Sequence, residues 1–512
     1  MQGELQMQGE HQMQGTRQVQ GTRQVRVVTS PPAVTSGGGS APLPPSAQAR
    51  LALALAAGKA AEAASKALRA GGGTSFPGTV AHRIDPHILR KIAAASDAGK
   101  VVVTGSNGKT TTCRMLAALA QASGLTVTQN RSGSNLLQGV ISAAVRGADL
   151  RGRLDAQLLL LEVDEATVRQ VNPQVRPHTF LVTNIFRDQL DRFGELYSMA
   201  KGLEEVIEAL PASATVVLNG DDPLVASLAP AARARRLYFG IQADSAGLPE
   251  PEHAADTIRC VRCQHPLSYR AVHLSHLGDY WCPECHSARP ALDVAVTEVR
   301  SSPEAGSKIT VQTPQGAFPL DVPLAGLHNV YNAAAALSCA IALVLPRPLE
   351  PAGARAALAR LRPAFGRLEE IQAGDRQVVL AFVKNPTSYN ATMREVLQRP
   401  GRKHVLAAHS NTVVDGEDFA WLWDVDLEQL VPRLASLTVS GTRAEEVMLR
   451  FKYAGAEPGS TLVIHDRAAA LRAALTRTPP GESLYIFAGY TPMRELRSIM
   501  QRHAWVSPFW EE

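Results

Sequence analysis

Residues 104–112 read TGSNGKTTT, a glycine loop with a lysine and threonines that suits the binding of phosphate. Gly105 and Gly108 would let backbone N–H groups approach a phosphate closely, and Lys109 would reach its outer oxygens. Thr110 would offer its hydroxyl to Mg²⁺. Val103 stands where the general phosphate-loop pattern has its first glycine. We nonetheless predict an ATP site here, formed by Gly105, Asn107, Gly108, Lys109, Thr110 and Thr111.

A second acidic position follows downstream. Glu162 ends the very apolar segment LLLLEV, where a carboxylate is costly unless a cation or a hydrogen-bond donor compensates it. We therefore predict that Glu162 joins Thr110 in holding Mg²⁺. Asp164 and Glu165 are the alternatives, and a satisfied carboxylate at a strand end is the simpler explanation.

Four of the six cysteines form two CxxC pairs, separated by 18 residues. Four thiolates at this spacing are typical of a tetrahedral zinc site without an open coordination position, so the site is predicted to be structural. The predicted zinc ligands are Cys260, Cys263, Cys282 and Cys285. Cys113 and Cys339 fall among apolar neighbours in predicted helices, where neither resembles a nucleophile.

The loop 183–194 also follows a predicted strand. It brings several polar residues together, and loops at the carboxyl ends of strands line the ligand crevice of open α/β sheets. A solvated start of a helix is the alternative. The residues are Asn184, Arg187, Asp188, Asp191 and Arg192.

These motifs need a scaffold of alternating strands and helices. Apolar, β-branched runs at 101–103, 158–163, 179–183 and 215–218 alternate with helical stretches, which predicts a mostly parallel sheet covered by helices. A second alternation beyond about residue 366 predicts a smaller α/β domain, with strands at 378–383, 404–408, 436–439, 461–464 and 484–488.

The predicted organisation has three main parts. Residues 1–45 combine a six-residue polar repeat with a Pro/Gly/Ser tract, which cannot bury a core and is predicted to be disordered. Residues 46–365 are predicted to form an ATP-binding domain, with the cysteine insertion at 257–289. Residues 366–512 are predicted to form the second domain.

The composition excludes several classes of protein. There are 52 Lys and Arg residues against 47 Asp and Glu, a net charge of +5, which gives no electrostatic reason to expect a nucleic-acid partner. The apolar stretch 333–345 is too short to span a bilayer, and the N-terminus lacks the apolar core of a secretory signal. We therefore expect a cytoplasmic protein that meets the inner face of the membrane through its substrate.

Four segments together resemble the ATP-dependent Mur ligases over roughly residues 75–512. They are the loop 104–112, Glu162, the sequence LHNVYNAA at 327–334 and GRLE at 366–369. Within that family, the cysteine insertion, the loop 184–195, VKNP at 383–386 and DGEDFAWLWD at 415–424 resemble the MurT group. The resemblance implies a P-loop central domain with an inserted Cys₄ zinc ribbon, followed by a smaller α/β domain.

The resemblance also implies roles for individual residues. It assigns the loop glycines, Lys109 and Thr110 to the phosphates and Mg²⁺, and Arg367 to the phosphates. His328, Asn329 and Asn332 would lie by the nucleotide base. This sequence departs from the family at Gln189, where histidine is usual, and Lys201 is the nearest candidate for a carbamylated lysine.

The implied activity is the ligase half of an amidotransferase of peptidoglycan biosynthesis. The α-carboxylate of D-glutamate in the lipid II stem peptide would be activated by ATP as an acyl phosphate, and ammonia would convert it to D-isoglutamine. Because four cysteines are predicted to bind metal and two to be buried, a separate GatD-like glutaminase subunit is expected to supply the ammonia. The resemblance implies that an aspartate completes the glutaminase triad. Asp418 and Asp424 are the candidates, with Asp415 behind them, near Trp421 and Trp423.

Two other functions compete with this one. A ligase of the Mur or folylpolyglutamate type, acting alone, would add an amino acid to a carboxylate. A nucleic-acid-binding protein would use the zinc ribbon as its reader, but the basic residues there are few: Arg259, Arg262, Arg270 and Arg289.

Overall fold

The fold is known from a computed structural model that describes most of the chain. The described residues are 43–67, 75–130, 133–187, 193–228, 230–243, 247–248, 251–252, 255–303, 305–362, 366–412, 415–416, 418–457, 459 and 461–507. Residues 1–42 of the predicted disordered extension lie outside this part, as do Asp188, Gln189, Asp191 and Arg192. Of Arg367 the backbone alone is described.

The first part of the chain alternates helices with strands. Its elements are α1 (Pro45–Ala67), α2 (Phe76–Ile84), α3 (Ile88–Ala95), β1 (Gly99–Thr104), α4 (Lys109–Ala122), β2 (Val127–Gln129), α5 (Leu137–Gly147), β3 (Leu158–Glu162), α6 (Val168–Val175), β4 (Thr179–Val182), α7 (Phe193–Glu208), β5 (Thr215–Asn219), α8 (Pro223–Ala226), β6 (Arg235–Ile241), β7 (Ser268–Leu274), β8 (Leu277–Trp281), β9 (Val294–Ser302), β10 (Gly306–Thr313), β11 (Gly316–Val322), α9 (Leu327–Ala342) and α10 (Pro351–Ala359).

Nine of these strands form one sheet in the order β11-β10-β9-β6-β5-β4-β1-β3-β2. Strand β1 pairs in parallel with β3 on one side and with β4 on the other. Every residue of β3 and β4 is buried, as the continuous apolar runs of a sheet covered on both faces require. The carboxyl ends of β1, β3 and β4 therefore meet at one edge, where the predicted ATP residues follow.

The second part of the chain forms a smaller sheet. Its elements are β12 (Arg367–Ala373), β13 (Arg376–Phe382), α11 (Pro386–Gln398), β14 (Lys403–Ala408), a 3₁₀ turn (Ala420–Asp424), α12 (Leu427–Leu430), a second 3₁₀ turn (Val431–Arg433), β15 (Leu434–Ser440), α13 (Ala444–Tyr453), β16 (Thr461–Val463), α14 (Arg467–Arg477), β17 (Ser483–Ala488) and α15 (Tyr490–Arg502). The order is β12-β13-β17-β14-β15-β16, parallel except for the antiparallel pair β12 and β13.

The α/β class with a second, smaller α/β unit is confirmed. The strands predicted in both parts are present. The hairpin β7–β8 lies within the cysteine insertion and forms a separate two-stranded sheet. The domain boundaries stay a prediction. Among the described residues, no helix is both long and apolar enough to cross a membrane.

Candidate functional site

The glycine loop joins the end of β1 to the start of α4, and it needs its glycines. Gly105 has φ +120° and Gly108 has φ +86°, a region that favours glycine. A Cβ at Gly105 would overlap Thr183 Oγ1, and one at Gly108 would overlap Asn332 Oδ1. The loop is therefore packed too tightly for any side chain at either position.

Lys109, the first residue of α4, is buried beneath this loop. Its Nζ donates to the carbonyl oxygens of Gly105 and, at 3.3 Å, Ser106, and it pairs with Glu165 Oε2 at 2.9 Å. Burial of the ammonium opposes its charge, but the carboxylates of Glu165, Asp164 and Glu162 outweigh that effect and raise the pKa of Lys109. A permanent positive charge thus lies under the loop that would hold phosphate.

Thr110 and Glu162 meet as the sequence predicts. Thr110 Oγ1 donates to Glu162 Oε2 over 2.8 Å, and Glu162 is only 4% exposed. The side chain of Asn130 forms two hydrogen bonds with the backbone of Glu162. Its Oδ1 accepts from the N–H and its Nδ2 donates to the carbonyl oxygen, both at 2.8 Å. A hydroxyl and a carboxylate are oxygen ligands of the kind that Mg²⁺ prefers, so the pair is chemically able to hold this ion.

The loop after β4 braces the glycine loop from below. Thr183 Oγ1 and Asn184 Nδ2 both donate to the carbonyl oxygen of Asn107, at 2.8 and 3.1 Å. Asn184 Oδ1 accepts from the N–H of Asn107 at 2.8 Å, and Ser106 Oγ exchanges hydrogen bonds of 3.0 Å with the backbone of Phe186. Two strand-end loops are thereby locked together.

The first turn of α9 lies behind the glycine loop. Asn332 Oδ1 accepts from Thr112 Oγ1 at 3.3 Å, and Asn332 Nδ2 donates to Asn329 Oδ1 at 3.3 Å. Asn329 in turn lies 3.0 Å from the Nε2 atom of His328. The structure therefore brings these three α9 residues next to the predicted phosphate loop.

The second sheet reaches the same site through α11. Asn385, the N-cap of α11, donates from Nδ2 to Asn107 Oδ1 at 3.3 Å. Three turns later, Glu395 Oε1 lies 3.3 Å from His328 Nδ1, although the geometry is not that of a hydrogen bond. Burial raises the pKa of Glu395 to about 8, against the opposing effect of Arg399 and Arg394. The helix thus spans the site from the glycine loop to His328.

The four predicted zinc ligands converge at the tip of the insertion. All four sulfur atoms lie within 4.8 Å of one another, with 3.5 Å between Cys260 and Cys285 and 3.4 Å between Cys263 and Cys282. A zinc ion with bonds of 2.3 Å would separate its sulfurs by roughly 3.8 Å, which is within this range. The donor set and its spacing therefore fit a tetrahedral metal ion.

The three candidate aspartates have different surroundings. Asp415 accepts from the N–H of Thr491 at 2.9 Å and from the hydroxyls of Ser410 and Thr412 at 3.2 and 2.6 Å. Asp424 Oδ2 lies 3.5 Å from Arg187 Nη2. Asp418 accepts from the N–H of Ala420 at 2.8 Å.

An open groove of about 330 Å³ runs beside Asp418 on the second sheet's side of the molecule. Trp423 lines it and is 49% exposed, whereas Trp421 is buried at 3%. Of the three candidate aspartates, Asp418 lines this accessible and partly aromatic groove, and Asp415 and Asp424 do not.

Comparison with known proteins identifies the family. The Mur ligase middle domain matches residues 103–281, and the MurT ligase C-terminal domain matches residues 382–493. The MurT subunit of lipid II isoglutaminyl synthase (glutamine-hydrolyzing) of Streptococcus pneumoniae is 30% identical, covering 84% of this chain and 93% of that protein. The chain belongs to the MurT family. The Staphylococcus aureus MurT subunit is also 30% identical, over 78% of this chain and 87% of its own.

Solved structures support the Mur ligase fold. A pseudomurein peptide ligase type C from Methanothermus fervidus has a TM-score of 0.60 at 20% identity, covering 79% of both chains. MurF from Acinetobacter baumannii has a TM-score of 0.58 at 20% identity, covering 86% of this chain and 80% of its own. The chain therefore has the same fold as these two proteins.

Sequence reasoning missed several residues of this MurT-family site. Asn130 and Glu395 contact predicted site residues, yet neither belongs to a motif. Thr183 and Asn385 lie in segments that the sequence singles out, 183–194 and 383–386, but neither is assigned a role at the phosphate loop. A polar residue that directly follows a strand, as Thr183 follows β4, was an available signal. Lys201, the candidate for carbamylation, is exposed on α7.

Proposed function

We propose that this chain is the ligase subunit of a lipid II isoglutaminyl synthase. It would activate the α-carboxylate of D-glutamate in the lipid II stem peptide with ATP, and amidate it to D-isoglutamine. The observation that carries the proposal is the 30% identity to a MurT subunit over 84% of this chain, together with the complete phosphate loop.

The chemistry needs charge stabilisation more than covalent participation. A carboxylate oxygen of the acceptor attacks the γ-phosphorus of ATP, ADP leaves, and ammonia then displaces phosphate from the acyl phosphate. Lys109 and the loop N–H groups would neutralise the charge on the transferred group. Mg²⁺, when bound by Thr110 and Glu162, supplies the remaining positive charge. Asn385 and Arg367 would close the site from the second sheet.

Lys109 must exchange partners when ATP binds. Its ammonium lies 2.9 Å from Glu165, a position that a phosphate oxygen would take over. Since the side chain of Glu165 is only 8% exposed, separating it from Lys109 is costly, so Glu165 opposes the binding of ATP. We propose that Thr110 and Glu162 would hold the ion, and that Glu165 competes with ATP for Lys109.

Ammonia is proposed to come from a separate glutaminase subunit. Cys113 and Cys339 are buried, and burial raises the pKa of both thiols, which keeps them protonated and unreactive. The remaining four cysteines form the cluster that we propose binds zinc. Among the described residues, this inventory leaves no thiol suited to hydrolysing glutamine.

Asp418 is the stronger candidate for completing the glutaminase triad. It lines the open groove with Trp423. Asp424 instead faces Arg187 in the loop after β4, and Asp415 accepts two hydrogen bonds from its own loop and one from the N–H of Thr491 on α15. Aromatic residues are enriched at protein interfaces, and Trp423 is exposed enough to serve in one. The glutaminase is therefore proposed to dock on the groove.

The deciding experiment supplies lipid II, ATP and either ammonium or glutamine, with and without a GatD-like glutaminase. Amidation with ammonium alone, and with glutamine only when the partner is added, is the expected pattern. ATP turnover that required a free amino acid and ignored ammonium would instead establish a stand-alone ligase.

The same assay tests the aspartates. Asp418→Asn should reduce the glutamine-dependent rate by at least tenfold and spare the ammonium-dependent rate, because the ligase site is untouched. Asp375→Asn, on an exposed turn, is the matched control. An equal loss with both nitrogen sources would contradict the assignment of Asp418.

A further inference from the structure

The cysteine insertion is anchored at its base by two buried carboxylates. Glu252 and Asp256 precede the first cysteine, and their side chains are 7% and 3% exposed. Glu252 Oε2 accepts from the N–H of Ser275 at 2.9 Å, in the turn of the hairpin β7–β8. The N–H of Asp256 donates to His276 Nδ1 at 3.3 Å in the same turn. The two carboxylates are therefore fixed to the insertion itself.

Each carboxylate also reaches toward the second sheet. Glu252 Oε1 forms an ion pair with Arg394 of α11. Asp256 holds Arg187 at two points, since Oδ2 accepts from the N–H of Arg187 at 2.8 Å and Oδ1 pairs with its Nε. The far end of the Arg187 guanidinium lies 3.5 Å from Asp424. Two sets of ion pairs therefore connect the insertion to the second part of the chain.

The same base contacts the loop that braces the phosphate site. The His276 ring packs on Phe186, with 4.9 Å between ring centroids. Phe186 is the residue whose backbone exchanges hydrogen bonds with Ser106 Oγ, and Arg187 follows it directly. A displacement of the insertion would therefore shift residues 186 and 187 together with the glycine loop.

A third contact ties the insertion to α9. Arg289, just after the last cysteine, donates to Asp221 Oδ1 at 2.9 Å, and Tyr331 of α9 donates to Asp221 Oδ2 at 2.7 Å. Asn329 and Asn332 lie on either side of Tyr331 along α9. The base of the insertion is therefore linked to three elements beside the predicted nucleotide site: the loop after β4, α11 and, through Asp221, α9.

We propose that the cysteine insertion is an interdomain clamp, in which Glu252 and Asp256 are positioning residues. Asp256 fixes Arg187 and so the loop beneath the phosphate site, while Glu252 holds α11 through Arg394. Because α11 begins at Asn385, which contacts Asn107, holding this helix also sets how the second sheet meets the glycine loop. The metal would act at a distance, by keeping the base of the insertion rigid. This role goes beyond the proposed amidation and does not depend on the acceptor or on the glutaminase.

The test measures structure and nucleotide binding without any amidation assay. Full-length Asp256→Asn, Glu252→Gln and the control Glu208→Gln, an exposed acid on α7, would be compared with the parent protein. Amide hydrogen exchange would follow residues 183–187 and 386–398, and a fluorescent ATP analogue would report the dissociation constant.

The two variants should differ in where they act. Asp256→Asn should speed exchange at 183–187 and raise the nucleotide dissociation constant about fivefold or more. Glu252→Gln should speed exchange at 386–398 and leave 183–187 protected. Removal of the metal from the parent protein with a chelator should reproduce both changes, and Glu208→Gln should reproduce neither.

Two results would overturn the clamp. One is unchanged exchange in both segments with a dissociation constant within twofold of the parent value. The other is uniform acceleration across the whole protein, which would indicate a general loss of stability. If Asp256→Asn does not fold, Arg187→Lys replaces it, because lysine keeps the charge but cannot contact Asp256 and Asp424 together. Arg187→Lys should then speed exchange at 183–187 and leave 386–398 protected.

Discussion

The two mainly parallel sheets each bury a basic side chain just beyond the end of a strand, and the local surroundings favour opposite protonation states for the two bases. Lys109 follows β1 and has Glu165, Asp164 and Glu162 around it, which raises its pKa despite complete burial. His409 follows β14 among Tyr389, Phe419 and Trp421, with ring centroids 6.1, 5.3 and 5.8 Å away. Burial lowers the pKa of His409 to about 4, and Asp415 opposes this effect only in part.

The difference shows what each strand end is built for. A base surrounded by carboxylates keeps its proton at every physiological pH, so it can attract phosphate. A base surrounded by aromatic rings stays neutral, and His409 Nε2 has no hydrogen-bond partner among the described residues. The first sheet thus places a fixed charge at its strand ends, and the second places a neutral, aromatic core behind the loop that carries Asp418.

The largest effect is expected from Lys109→Ala. Removing a charge that acts mainly in the transition state should lower kcat/KM by roughly 10²–10³-fold. Lys308→Ala, on an exposed position of β10, should leave the rate unchanged. Ammonium-dependent amidation at saturating Mg²⁺ measures both. A decrease in kcat/KM of less than tenfold would mean that the charge of Lys109 does not contribute to catalysis, and the contrast with His409 would have no functional basis.

His409→Phe should change the pH dependence of stability. Because the unfolded chain binds a proton near pH 6.5 and the folded chain only near pH 4, folding loses roughly 3 kcal/mol as the pH falls between these values. Phenylalanine cannot be protonated, so the variant should lose less stability over that range. Urea unfolding followed by tryptophan fluorescence at pH 7 and pH 4.5 measures it.

The control for His409 is the exposed His503→Gln, which should keep the parent slope. An identical slope for His409→Phe and the parent protein would mean that His409 is protonated in the folded state. The contrast between a charged and a neutral strand end would then be lost.

Thr110→Val tests whether the charged strand end binds Mg²⁺ through Thr110. The substitution removes the hydroxyl that contacts Glu162 and keeps the shape of the side chain. Hydrogen bonds to charged groups are worth about 1.5–3 kcal/mol, so the Mg²⁺ concentration for half-maximal activity should rise at least tenfold. Thr476→Val, exposed on α14, is the control. An unchanged Mg²⁺ requirement would exclude Thr110 as a ligand.

Glu165→Gln should have the smallest effect. It removes one of three carboxylates that compete with ATP for Lys109, so KM for ATP should fall about two- to fivefold, as expected for a partly buried pair. A rise in KM would instead indicate that Glu165 holds Mg²⁺ together with the nucleotide. Steady-state kinetics at fixed lipid II distinguish the two outcomes.

Features that depend on neighbouring residues followed from the sequence alone. The strand, glycine loop and helix at 99–122 are consecutive, so their geometry is local and the residue types define it. The same holds for the two CxxC pairs, because each pair turns within four residues. The meeting of Thr110 with Glu162 also follows, since parallel neighbouring strands end at a common edge.

The remaining features depend on tertiary structure. Asn385 contacts Asn107 across 278 positions, and Arg187 meets Asp424 across 237, so no local pattern could indicate either pair. The protonation state of His409 depends on three aromatic rings, one from α11 and two from residues 419–421, which only the tertiary structure brings next to the end of β14. Sequence determined the chemistry available at each strand end. Strand order and the packing between the sheets decided which charges are paired, because a buried group's charge depends on neighbours that folding alone brings together.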